Sequence, residues 1–68
     1  MNSPIFPDVH VDLSNEDGNA ISIIGRTRRA LKRSGLVTDN QIAEFSEEVM
    51  SGDYDNVLRT VMKWVSTS

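Results

Sequence analysis

Two glycines, Gly35 and Gly52, divide most of this 68-residue chain into three short apolar-periodic segments. Gly35 suits the left-handed position just past a helix end, and Gly52 stops the segment before it. Each segment shows the helical spacing of apolar residues, so the chain reads as three short helices with connections of about three residues. A domain of this size buries only about 60% of the surface its unfolded chain exposes. Its core is worth roughly 3–5 kcal/mol of net stability. The chain contains no cysteine, so no disulfide or thiolate metal site can add to that. The longest apolar run is two residues, as in Ile23-Ile24, which fits neither a membrane span nor a signal peptide. The expectation is one soluble domain with no membrane role.

The first helix is read over Asn19 to Ser34. At 100° per residue, Ala20, Ile23, Ile24, Thr27, Ala30 and Leu31 share an arc of about 120°. Arg26, Arg29 and Arg33 lie opposite, flanked by Arg28 and Lys32. Ile21 and Gly25 fall outside the core arc, one turn apart. An apolar residue beside a position with no side chain points to close packing there. The second helix, Asp39 to Met50, has the clearest local signature. Thr38 and Gln41 form a capping box, and Val37 and Ile42 form a hydrophobic staple. Ile42, Ala43, Phe45 and Val49 point inward, and Glu44, Glu47 and Glu48 outward. The third helix starts at the N-cap Asp53 and runs from Tyr54 to Val65. Tyr54, Val57, Leu58, Val61, Met62, Trp64 and Val65 span about 160°, which makes it the central helix. Trp64 and Tyr54 could be taken for a binding hot spot, but their phase assigns them to the core.

Before the helices, Asp8-Val9-His10-Val11-Asp12-Leu13 alternates with period two and carries β-branched residues, the pattern of a strand. No second strand is legible. An unpaired strand leaves backbone groups exposed, so this one either lies over the helices, with Ile21 and Gly25 as its seat, or pairs with the same strand of a second copy. The expected fold class is mainly α: a short N-terminal extended segment or β-strand followed by a compact three-helix arrangement. Residues 1–7, with Pro4 and Pro7, read as a flexible tail, 8–65 as a single small helical domain, and 66–68 as a frayed C-terminus.

Several motifs resemble a family of small uncharacterised proteins found in bacteria and their phages. They are Val11-Asp12-Leu13, Glu16-Asp17-Gly18-Asn19-Ala20, Ile24-Gly25-Arg26, Ser51-Gly52-Asp53-Tyr54-Asp55 and Thr60-Val61-Met62-Lys63-Trp64-Val65. The likeness covers most of residues 11–65. It implies a bacterial or phage origin and a place in the cytoplasm of a bacterial host. It carries no assigned activity, so it gives no residue a catalytic role.

Charge is segregated. The net charge is −3, yet residues 8–19 carry −4, residues 20–37 carry +5, residues 38–56 carry −6 and residues 57–68 carry +2. A basic helix beside an acidic one accounts for this as a pairing device, and cations in the last turns of the first helix also suit its dipole.

Candidate chemistry is sparse. Asp12, Ser14, Glu16, Asp17 and Gly18 suggest a calcium loop, but with Gly18 sixth the first and twelfth ligands would be Leu13 and Ile24. The better reading is a turn whose acidic groups cap the first helix. His10, the only histidine, shares a strand face with Asp8 and Asp12, which reads as a solvated polar face. With no cysteine and no second imidazole, no transition-metal set forms, and no hydroxyl has a His–acid partner for catalysis. No enzyme activity, cofactor or metal is expected.

Macromolecular recognition remains. The first reading is a protein-interaction module, possessing Arg26, Arg29, Arg33, Ile21, Gly25, Val9 and Val11 as its surface and able to pair with itself through the N-terminal strand. The second is nucleic-acid binding, with Arg26, Arg29 and Arg33 on phosphates. Net acidity opposes the second. So do Asp53 and Asp55, which would lead the last helix into a groove if helices two and three formed a helix-turn-helix.

Overall fold

The computed structural model describes residues 3–13 and 19–67. In chain order they form β1 (Phe6–Val11), α1 (Ala20–Ser34), α2 (Asp39–Val49), α3 (Tyr54–Trp64) and β2 (Val65–Thr67). Helices this short are marginal alone in water, so caps and a shared core hold them.

Local chemistry sets each helix end. The Asn19 carboxamide oxygen accepts from the Ile21 N–H at 2.9 Å and starts α1. Gly35 closes it with φ 71°, its N–H directed at the Lys32 carbonyl. Thr38 Oγ1 accepts from the Gln41 N–H at 3.1 Å, and Gln41 Oε1 accepts from the Thr38 N–H at 2.9 Å, so the capping box is complete in both directions. Asp53 caps α3 by accepting from the Asn56 N–H at 3.0 Å. The capping turn expected from Glu16 and Asp17 lies outside the described residues, and the first turn of α1 carries no acid.

Gly52 acts differently from Gly35. The C-cap of α2 is Met50, and Gly35 alone among the described glycines has positive φ. A Cβ on Gly52 would stand 2.9 Å from Asn56 Cβ. The missing side chain lets the start of α3 close over the end of α2. There the Asn56 amide donates to the Glu48 carbonyl at 2.9 Å.

The core joins Val9 and Val11 of β1 to Ile23, Ile24 and Leu31 of α1, Phe45 and Val49 of α2, and Val57, Val61 and Trp64 of α3. Thr27 is buried too, its hydroxyl donating to the Ile23 carbonyl at 2.8 Å. On α3 the inward arc is Val57, Thr60, Val61 and Trp64. Tyr54 and Met62, expected inside, are about half exposed, and Thr60 takes the inner place that apolar counting gives to Met62. An arc of about 160° is wider than a thin domain can cover, and its neighbours turn the helix toward Thr60. Ala43, also expected inside, is exposed.

The C-terminus departs most from the sequence reading. Residues 65–67 do not extend α3 or fray. They form β2, parallel to β1, with Phe6 opposite Val65, His10 opposite Ser66 and Val11 opposite Thr67. A parallel pair needs a crossover of a dozen or more residues, and here the whole helical region serves. The register breaks between Phe6 and His10. That interval holds Pro7, which has no N–H to give a ladder and belongs at such irregularities. Ser66 Oγ donates to the Pro7 carbonyl at 2.6 Å, and the Ile5 N–H donates to the Lys63 carbonyl at 3.0 Å. The strand therefore begins at Phe6, inside the expected tail, and the Phe6 ring stacks on Trp64 at 6.0 Å. Three residues are too few to show a period-two pattern, which is why β2 was not legible.

Candidate interaction surface

Alternation in β1 sets its own orientation: Val9 and Val11 enter the core while Asp8 and His10 face out. The Val9 and Val11 side chains, read as part of an interaction surface, are therefore buried in the core. One edge of the strand is paired inside the chain, by β2. β1 does not cover Ile21 and Gly25. Ile21 is 79% exposed, and a Cβ at Gly25 would meet nothing within 4 Å. The strand instead packs over the core stripe of α1.

The five cations of α1 stand on its outward side, with Arg28, Arg29, Lys32 and Arg33 exposed and Arg26 half-buried. Depressions flank this ridge. A cleft of about 480 Å³ lies toward α2; Gly25, Arg28, Arg29 and Lys32 form one wall, Asp39 and Ala43 the other, with Ile42 between. A smaller one of about 270 Å³ lies toward β1, lined in part by His10, Asp12, Arg26, Arg29 and Arg33. Arg29 belongs to both. The Arg26 guanidinium donates to the Asp12 carbonyl at 3.2 Å, which ties the chain after β1 to the ridge.

The basic and acidic helices are neighbours, but among the described residues no carboxylate forms an ion pair with Arg28, Arg29, Lys32 or Arg33. Glu48 of α2 turns to α3 instead. Its carboxylate meets Lys63 Nζ at 2.8 Å and accepts from Trp64 Nε1 at 3.2 Å. The hydrogen bond from Lys63 is the main reason its pKa lies below the ordinary 4.5; partial desolvation opposes this and the Trp64 bond assists it. The sequence pattern alone does not show that Asp39, Ala43 and Met50 share an exposed side of α2, because Ala43 reads as apolar filling.

Asp8, His10 and Asp12 do not converge: no group of three or more acidic or histidine side chains among the described residues could hold a metal. The calcium reading falls largely on Ser14, Glu16, Asp17 and Gly18, outside the described residues. No described helix is long and apolar enough to cross a membrane. The chain matches no protein-family model, no curated protein and no solved structure.

Proposed function

We propose that this chain is a non-catalytic protein-interaction module whose outward α1 face docks an acidic protein surface. The observation that carries this reading is a set of exposed cations with no carboxylate partner among the described residues, beside exposed Ile21 and a cleft partly lined by apolar side chains. Interfaces combine such apolar ground with charges that steer and select the partner. Following the motif resemblance, we take the partner to be a protein of bacterial or phage origin, met in the bacterial cytoplasm.

Nucleic-acid binding through Arg26, Arg29 and Arg33 is the second reading, favoured by the exposure of this ridge. Asp39 and Asp12 line the two depressions and would repel phosphates, as would the net charge of −3.

A tagged capture from bacterial lysate, run with and without nuclease, separates the two. Retention of an acidic protein after nuclease, lost on Arg29→Glu with Arg33→Glu, is the expected result. Recovery that vanishes with nuclease, with affinity falling steeply as salt rises, would transfer the face to nucleic acid.

A further inference from the structure

Gly25 lies mid-helix, where glycine weakens a helix relative to alanine. Its φ is not left-handed, and a Cβ there would meet nothing within 4 Å. Neither backbone conformation nor packing among the described residues requires it. It borders the α1–α2 cleft, and at helical spacing from it on α1 stand exposed Ile21, Arg28 and Lys32.

Across the cleft stand Asp39 and Ala43, and Glu47 and Met50 continue their column along α2, at spacings of four, four and three residues, with all four exposed. Met50, at the C-cap, is 63% exposed. The face thus carries a cationic column with exposed Ile21 beside an acidic one with exposed Ala43 and Met50. Such a face complements itself. A two-fold axis running between the columns lays α1 of each copy over α2 of the other, cations opposite carboxylates.

We infer that this face is the interface of a two-fold homodimer, in which α1 of each copy, bare at Gly25, packs on the Asp39–Ala43–Glu47–Met50 column of its partner. The inference rests on the protein-docking reading above and names a second copy as the occupant. Charge complementarity and the otherwise unexplained glycine carry it. Glycine at the contact lets the two helices approach closely, as backbone without a side chain does elsewhere.

Sedimentation equilibrium across a wide concentration range tests it, with circular dichroism reporting the fold of every variant. Wild type dimerises. Arg28→Glu with Lys32→Glu is monomeric, and so is Asp39→Lys with Glu47→Lys. An equal mixture of these two variants recovers a dimer, because each contact then pairs opposite charges again. Gly25→Leu weakens the dimer at least tenfold without loss of helical signal. A wild-type chain that stays monomeric overturns the inference, as does a dimer that neither charge reversal dissociates, or a mixture that stays monomeric. If wild type is monomeric while the nuclease-treated capture still retains an acidic protein sensitive to Arg29→Glu with Arg33→Glu, the homodimer fails and protein docking stands. Loss of both results removes both.

Discussion

At the corner where α2 meets α3, the polar groups of Glu48, Ser51, Asp53, Asn56 and Trp64 are bound within the molecule. Along the outer face of α1, four exposed cations have no carboxylate partner among the described residues. Each region also holds a glycine, and the two are opposite in kind. Gly52 is crowded by one neighbour, with Asn56 Cβ 2.9 Å from where a Cβ would sit, while Gly25 opens on empty space. The corner is built to hold the fold together. The α1 face has polar capacity left over among the described residues.

Four substitutions sharpen or break this contrast, and the largest is at the corner. Trp64 packs edge-on against Phe45 at 5.5 Å and is stacked by Phe6. Trp64→Ala costs about 3–5 kcal/mol, enough to unfold so small a domain, and chemical denaturation followed by circular dichroism reads it. A folded Trp64→Ala protein would mean that the corner does not anchor the core.

Gly52→Ala comes next. The new methyl pushes on Asn56, whose amide bonds the Glu48 carbonyl, so a cost of about 1–3 kcal/mol is expected. Thermal melting measures it. Equal stability would show that α3 can shift away without loss.

Gly25→Ala has the opposite sign. With no contact inside the chain to disturb and no left-handed φ to satisfy, alanine stabilises α1 of the dilute, monomeric protein by about 0.5–1 kcal/mol. In a domain of this size that raises the melting temperature by about 4–8 °C per kcal/mol. A lower melting temperature would put Gly25 inside the fold and erase the difference between the two regions.

The smallest effect depends on pH. The Glu48 pKa is depressed, so its contribution is present above the ordinary value of 4.5 and is lost as pH falls through the lower folded value. Relative to Glu48→Gln, wild type is more stable near neutrality, by no more than about 1 kcal/mol for a pair this exposed. Below pH 4.5 that advantage fades. A constant difference between the melting curves at both pH values would show that the Lys63 pair contributes nothing.

The caps and stops were legible in the sequence because each is a contact within about four residues. Thr38 with Gln41, Asp53 with Asn56, and Gly35 past the last turn of α1 need no neighbour from elsewhere in the chain. The inward positions of α1 and α2 were legible for a related reason: a 3.6-residue period reveals which residues share a face. Ile23, Leu31, Phe45 and Val49 were assigned to the core on that basis, and they occupy it.

How far a buried arc extends, and what covers it, depends on the neighbours. Period alone could not choose Thr60 over Met62, or exclude Ala43. The cationic ridge was legible as charge, but its lack of carboxylate partners depends on Glu48 turning to α3, a choice made between helices.

By itself, then, the sequence determined that three capped helices form and where each begins, which stripe α1 buries, and that positive charge gathers on α1. Only the tertiary structure decided that residues 65–67 pair with β1, that Phe6 joins the aromatic cluster, and that Ile21 and Gly25 face outward. The physical reason is range. Caps and periodicity are written in residues a few places apart. The pairing of Val11 with Thr67 joins residues from opposite ends of the chain, and it forms only when three packed helices bring those ends together.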